Sequence, residues 1–528
     1  MLQNLAIIGA MPGRNYKQVR IHWLLNLIKA EFNNGDIRFD FSKLDELVKR
    51  LHQYRLKPGF ELMGNPSNIF SNFSNATELH LFKRLVTELS SRYVSMFGID
   101  FVKQWNFENW NEPNNRDFDG LNFTFNSFNN YYDACSSGLK ETSEELRLGG
   151  VSERCLPIKN ESFCMSLLNH TANGINYFSK KKNDTKLDFI ALHEKGKDND
   201  VDVIIEKEIT VINAIHSRFP QLRNKQVMNE EGDPIVKWSD PYIWNTDSNY
   251  ASIAAEIMIK HIDHYFSKNN SVYFQLLSND NAFLSYYPYQ FEQRTLLARF
   301  QMNNTKPQTV QFIKKPIYTA LGLFDYLGDN LLFTGFDHNE KVTVSSVATF
   351  ESTEERQMYA ILVSASPYKS RQADEIVDLK LVVDFNGCSV NEDWKWRRYV
   401  VNNIESNPYK VWTSRGKPDF PSKSLLQNMR NKEGPFTSSL EHVKVKHNTW
   451  KHSLTLYAPE VTLFLLCSKS EKFDEQILNL KWISVSETDV LFVWSPVQNK
   501  CILSYHVEYS EYETGKFERI NKKEIIYP

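Results

Sequence analysis

The sequence predicts an α/β chain: a (β/α)8 barrel, then a β-sandwich, then a shorter β-domain. Three observations predict it. From Lys17 to about Asp280, short apolar runs alternate with longer amphipathic segments, the texture of parallel strands joined by crossover helices. Polar or ionisable residues finish the apolar runs: His22, Glu61, Asn111 with Glu112, His193 with Lys195, Glu230 with Glu231, and Asn279 with Asp280. In a barrel the C-terminal strand ends converge on one mouth, where such side chains meet. After about Leu327 the helical spacing gives way to alternation with a period of two.

Taken in order, the barrel strands are expected at 18–22, 57–63, 102–111, 146–151, 187–193, 226–231 and 272–278. Amphipathic stretches lie between them, such as 41–53, where Leu44, Leu47, Val48 and Leu51 share one helical face. Seven strands rather than eight are legible, so the first barrel strand is expected to be missing, and a doubly wound sheet accounts for the periodicity as well. The sandwich strands are expected at 342–347, 358–364, 379–383 and 455–466. From about Ile477 the runs LNLKWISV, DVLFVWSP and ILSYHVEYSEYE look like the opening strands of a fibronectin type III-like module, cut short. The expected domains are therefore 1–327, 328–471 and 472–528.

Composition narrows the function. The chain has 528 residues, 41% hydrophobic and 24% charged, enough for a large core and several domains. A net charge of -2 without a long basic run gives no case for nucleic acid. No run reaches the roughly 18–20 apolar residues of a membrane span. The opening MLQNLAIIGAMPG has no basic segment and only a short apolar run, so it does not read as a signal peptide. Yet N-x-S/T triplets begin at Asn72, Asn75, Asn122, Asn160, Asn169, Asn183, Asn269 and Asn303, which speaks for secretion. Six cysteines show no metal-ligand spacing; Cys467 and Cys501 flank a β-rich stretch, where a disulfide and two buried thiols are equally good readings. No cofactor or metal is implied.

The densest chemical motif is WNFENWNEPNN, residues 105–115. A carboxyl group at Glu112, among Trp105, Phe107 and Trp110, is expected to be partly desolvated and its pKa raised toward that of a general acid. Asn111 is suited to hydrogen-bond a sugar hydroxyl. A second apolar run ends in Glu230 and Glu231, and Gly232 and Pro234 then turn the chain. Glycoside hydrolysis needs two carboxyl groups astride the scissile bond, which residues distant in sequence achieve at a barrel mouth. Period-2 alternation sends only one of Glu230 and Glu231 inward, and the residues alone do not say which. In the stretch 276–305, Asp280 can accept from hydroxyls and Arg294 offers a planar fork for a carboxylate. With Lys195 nearby, acids plus two cations point to an acidic sugar.

These residues resemble glycoside hydrolase family 39, in the large (β/α)8 glycosidase clan, and most closely its lysosomal uronic-acid-cleaving members. The resemblance runs over nearly the whole chain. It is strongest in KQVRIHWLL, PGFELMG, QWNFENWNEP, FNNYYDAC, LSNDNAFLSY and QRTLLARFQMNNT. It implies hydrolysis of terminal α-L-iduronic acid from dermatan sulfate and heparan sulfate, with retention of configuration, in a lysosome reached by the secretory pathway. It also implies Glu112 as acid/base and Glu231, not Glu230, as nucleophile. The substrate-binding positions it implies are His22, Asn111, Lys195, Lys237, Trp238, Asp280 and Arg294, with Arg294 facing the iduronate carboxylate.

Two departures stand out. Family members carry glycine before the tryptophan at Trp238, where this chain has Lys237, and lysine resists a positive φ. They also begin earlier, with a signal peptide and first barrel strand, and extend beyond Pro528. A truncated chain is expected on that account, and the competing reading is an inactive carbohydrate-binding relative. A glycosidase acting on neutral xylosides is a further alternative, disfavoured by Arg294 and Lys195.

Overall fold

The computed structural model describes residues 2–525 apart from 13–16, 34–35, 156–161, 198–199, 268–270, 280, 282–283, 354–356, 370–372, 386–392, 469–476, 485–489, 495–500, 502–503, 513 and 522–524. Seven strands form one parallel sheet in chain order: β1 (Lys17–Arg20), β2 (Leu56–Glu61), β3 (Asn106–Glu108), β4 (Arg147–Glu153), β5 (Phe189–Leu192), β6 (Gln226–Asn229) and β7 (Phe274–Leu277). After α1 (Leu2–Gly9), the crossovers are α2 (Ser42–Gln53), α3 (Ala76–Phe97), α4 (Phe125–Thr142), α5 (Phe163–Asn173), α6 (Asp202–Arg218) and α7 (Ser248–Ile262). Each expected strand window overlaps one observed strand. All but β4 are shorter than their windows; 102–111 shrinks to three residues, its first residue lying in the helical turn Ile99–Val102.

The sheet curls. In a flat sheet β1 and β6 would stand about five strand spacings, roughly 24 Å, apart. Yet Arg20 Nη1 on β1 lies 3.4 Å from Glu231 Oε1 just past β6, and Asn106 Nδ2 on β3 lies 3.8 Å from Met228 Sδ. This is a barrel interior, and it rules out the doubly wound alternative. Among the described residues no eighth strand stands between β7 and β1.

Alternation along each strand sorts the side chains. Val19, Phe60, Phe107, Leu148, Ile190 and Val227 face outward and are buried with the apolar faces of the helices. Gln18, Arg20, Asn106 and Glu108 face inward: Asn106 donates to Gln18 at 2.7 Å and Arg20 pairs with Glu108. Gly59 makes room for them. A Cβ there would stand 2.9 Å from Gln18 Nε2 and 3.1 Å from Glu108 Oε1.

Beyond the barrel, β8 (Asn330–His338), β9 (Val342–Ser352), β10 (Gln357–Pro367), β14 (Glu460–Ser468) and β12 (Trp394–Asn402) pair in that order as an antiparallel sheet. A second layer pairs β11 (Glu375–Asp384) with β13 (Thr449–Ala458). The window 455–466 spans two strands, not one, because the chain changes layers at Pro459, which cannot continue a ladder. β10 is buried on both faces. Tyr359, Ile361 and Val363 pack with Trp394, Leu454 and Leu456, whereas Met358, Ala360 and Leu362 pack with Ile253, Ala254 and Ile257 of α7. The sandwich thus grips a barrel helix. Helical residues of 408–430 pack in turn on Phe291, Phe300 and Ile313.

The C-terminal stretch holds the hairpins Lys481–Ser484 with Val490–Val493 and Glu508–Tyr509 with Glu518–Arg519. Cys467 and Cys501 are disulfide-bonded. So are Cys155 and Cys164, which the sequence does not single out, while Cys135 is a buried free thiol. Among the described residues no helix is long and apolar enough to cross a membrane.

Candidate active site

The strand ends deliver one charged cluster to the mouth. From β1, the Arg20 guanidinium lies 2.7 Å from Glu61, 2.6 Å from Glu108, 3.4 Å from Glu230 and 3.4 Å from Glu231. It also donates to Asn111 Oδ1 at 2.9 Å. His22 Nδ1 stands 2.9 Å from both oxygens of Glu61. Past β5, His193 Nδ1 is 3.0 Å from Glu112 Oε1 and 3.6 Å from Glu231 Oε2, while its Nε2 is 3.7 Å from Glu230 Oε2. Lys195 Nζ lies 2.6 Å from Glu231 Oε2. Oxygens of Glu112 and Glu231 and a ring nitrogen of His193 all fall within 4.8 Å of one another.

Burial would push every acid here up, so the cations decide. Glu231 is nearly enclosed, yet His193, Lys195 and Arg20 outweigh its burial and hold the carboxylate well below its ordinary range. Burial raises Glu61 too, but Arg20 and His22 bring it below its ordinary value. Glu108 is the exception: burial and the neighbouring charge of Glu230 push it well above its ordinary value. His193 is buried, which disfavours the imidazolium, but Glu231, Glu112 and Glu230 push its pKa up to about 10. With Nδ1 3.0 Å from Glu112 Oε1 and Nε2 3.7 Å from Glu230 Oε2, His193 adds a positive charge between the acids, beside those of Arg20 and Lys195.

Glu112 behaves otherwise than the sequence leads one to expect. Trp105, Phe107 and Trp110 belong to the apolar core. Burial does raise it, but the hydrogen bond and charge of His193, with a bond from Asn115 at 3.1 Å, leave its pKa below the ordinary value. Its backbone is also unusual, with φ 39 just before Pro113. That conformation costs about 1–3 kcal/mol. It is held by the Glu112 N–H bonded to the Ser152 carbonyl at 2.9 Å.

Alternation was expected to send only one of Glu230 and Glu231 inward. Both reach the mouth, because β6 ends at Asn229 and a turn begins at Glu230. Glu230 sits deeper, with no exposed side-chain surface, and Glu231 sits above it beside Lys195.

Glu112, Glu231, His22, Asn111 and Lys195 are therefore brought together. Asn111 Nδ2 is buried with no hydrogen-bond partner among the described residues. Lys237 and Trp238 lie on the loop after β6; Lys237 is exposed and the Trp238 ring lies 5.7 Å from that of Tyr286. Arg294 is almost fully enclosed beneath that loop: its Nη1 donates to the Ile235 carbonyl, and its N–H to the Trp238 carbonyl at 3.0 Å. Asp280 lies outside the described residues. Arg20, Glu108 and the cationic role of His193 escape sequence reading. Inward parity was the available signal, since Arg20 stands two residues before His22.

Two of these features make testable predictions. Lys237 has φ 62, the left-handed region that a side chain penalises by about 1–2 kcal/mol. Lys237→Gly is expected to gain up to about 1 kcal/mol, part of it offset by the greater freedom of glycine in the unfolded chain, as read by thermal melting. A melting temperature at or below the parent's would show the loop relieves the strain otherwise. For His193, a pKa raised from 6.5 to about 10 adds stability that is complete below 6.5 and lost as pH rises through about 10. In denaturant titrations the parent is expected to lose stability across that window relative to His193→Gln. Parallel curves for parent and variant would remove the imidazolium.

Residues 3–446 match the family model described as glycosyl hydrolases family 39. The α-L-iduronidase of Mus musculus is 36% identical over 520 residues, covering 96% of this chain and 81% of that protein. The α-L-iduronidase of Homo sapiens is 34% identical over 521 residues, covering 96% of this chain and 79% of that protein. The solved structure of a bacterial orthologue of human α-L-iduronidase superposes with a TM-score of 0.86 at 24% identity, covering 100% of this chain and 88% of that one.

Proposed function

The chain belongs to glycoside hydrolase family 39, and from that premise we propose that it removes terminal α-L-iduronic acid from dermatan sulfate and heparan sulfate with retention of configuration. One observation supports retention: oxygens of Glu112 and Glu231 lie within 4.8 Å. Retaining glycosidases hold their carboxyl groups about 5–5.5 Å apart, and inverting ones about 6.5–9.5 Å, to leave room for water.

In this reading Glu231, kept ionised by His193, Lys195 and Arg20, attacks the anomeric carbon as the bond to the leaving oxygen breaks. Glu112 protonates that oxygen. His193 Nδ1, 3.0 Å from Glu112 Oε1, holds that carboxyl in place. In the second step Glu112 takes a proton from water, which attacks the glycosyl ester and frees Glu231. His22 and Asn111 contact sugar hydroxyls, Asp280 joins them, and Arg294, Lys195 and Lys237 with Trp238 receive the uronate end.

The catalytic unit spans 1–327, the sandwich 328–471 and the last module 472–528. A secretory route to the lysosome is supported by the two disulfides and by the exposed positions of Asn72, Asn75, Asn122, Asn169, Asn183 and Asn303 in their triplets. The test is fluorophore release from an α-L-iduronide at acidic pH, with the anomer first formed read by NMR. Release of the α-anomer supports the reading. Folded protein that binds the glycosaminoglycan without turnover would make it a binding relative, and release of the β-anomer would reject retention.

A further inference from the structure

Behind Glu231 lies a second polar cluster that the chemistry above does not use. Glu208, on α6, has no exposed surface, so its charge is not stabilised by solvent. Its Oε1 accepts from Asn229 Nδ2 at 2.6 Å and lies 3.0 Å from His261 Nε2; its Oε2 accepts from the Tyr265 hydroxyl at 2.9 Å. His261 Nδ1 lies 2.7 Å from the Ile257 carbonyl, which can only accept. That nitrogen therefore carries a proton, and Nε2 donates to Glu208 when the carboxylate is ionised. The two side chains meet out of contact with solvent.

Asn229 connects this pair to the site. Its two N–H groups go to Glu208 and to the Glu194 carbonyl, at 2.6 and 2.8 Å. Its Oδ1 receives the backbone N–H of Glu194 at 3.2 Å and of Glu231 at 3.3 Å. One amide thus ties the turn bearing Glu231 to the end of β5, which bears His193 and Lys195. His261 closes α7, the helix against which the sandwich packs. Ser364 Oγ on β10 donates to the Ser252 carbonyl of α7 at 2.8 Å, and Thr334 Oγ1 on β8 donates to Asp263 just past it at 2.6 Å.

We propose that Asn229, Glu208 and His261 are positioning residues for the nucleophile, and that through them the sandwich's grip on α7 sets where the Glu231 carboxylate stands. The proposal rests on Glu231 being the nucleophile. A strand ending in a turn does not by itself aim a carboxylate, and misplacement by about 1 Å can cost 10²-fold in rate. The sandwich then contributes to rate without touching the sugar.

The experiment compares Glu208→Gln, Asn229→Ser and Tyr265→Phe with the full-length parent. An activated fluoro-iduronyl fluoride, which loses fluoride as the Glu231 carboxylate takes the sugar and accumulates as the glycosyl ester, counts active sites and times their glycosylation. Expected are near-stoichiometric titration, KM within about twofold, and glycosylation per titrated site slowed about 10- to 100-fold in the first two variants and less in the third. Parental glycosylation per site with fewer titratable sites would mean that the cluster only stabilises the fold, and would overturn the proposal. Should Glu208→Gln fail to fold, Asn229→Ser decides by the same ratio. Glycosylation of the parent is the control: its absence would fail the assignment of Glu231, whereas a responding parent with unaffected variants fails this proposal alone.

Discussion

Replacing Glu231 with alanine is expected to lower kcat by about 10⁴-fold or more, because among the described residues no other carboxylate stands where it can form the glycosyl ester. Glu230 is the nearest substitute, but its buried side chain lies deeper, against Arg20 and His193. Azide should enter the space vacated above it, attack the anomeric carbon directly and restore part of the rate, giving an adduct of inverted configuration. The corresponding Glu112→Ala should lose about 10²–10⁴-fold on substrates with poor leaving groups, and much less on activated ones. Its azide adduct should retain configuration, since the ester on Glu231 still forms. The comparison is read by NMR of the two adducts. Inversion at Glu112→Ala with retention at Glu231→Ala would exchange the two roles.

Arg20→Met is the second large effect, and it falls on stability as well as activity. The guanidinium is the shared partner of Glu61, Glu108, Glu230 and Glu231. Removing one member of a buried ion pair costs about 3–5 kcal/mol, because the opposite charge stays desolvated. The sign with pH also follows. In the parent, Glu61 sits below its ordinary value and adds stability that is present above about pH 4.5 and lost as pH falls through its folded pKa. Without Arg20, burial dominates and the Glu61 pKa rises, so the variant binds protons in the folded state and weakens as pH increases. The gap between parent and variant is therefore expected to be wider at neutral pH than near pH 4.5, as measured by denaturant titration. An equal gap at both would mean that the cluster is held neutral by other means.

Reading the strands from the sequence worked where a long-range constraint acts on every residue of a run. A parallel strand packed against helices carries an apolar run, so the runs holding Val19, Phe60 and Phe107 betray the sheet, and the polar residues at their ends betray its mouth. The Asn-Glu-Pro motif and the acidic end of the sixth strand are legible for the same reason: carboxylates stand where apolar runs stop. The expectation for the Glu112 pKa failed because it relied on neighbours in sequence. Trp105, Phe107 and Trp110 are close to Glu112 in the chain and pack into the apolar core, whereas His193, 81 residues away, lies 3.0 Å from it and sets the direction of its shift.

Local periodicity and the cost of burying a charge make three things legible in the sequence: the order of strands and helices, the change to antiparallel structure after Leu327, and the acids Glu61, Glu112 and Glu230 with Glu231 at strand ends. Folding adds the rest: the sheet curls until Arg20 meets Glu231, Glu108 joins the mouth, Glu230 and Glu231 both turn inward, Pro459 carries one apolar run into two layers, and His193 places a positive charge between the acids. Each of these depends on which groups become neighbours when distant segments pack, and electrostatic energy depends on that distance and on exclusion of water rather than on position along the chain.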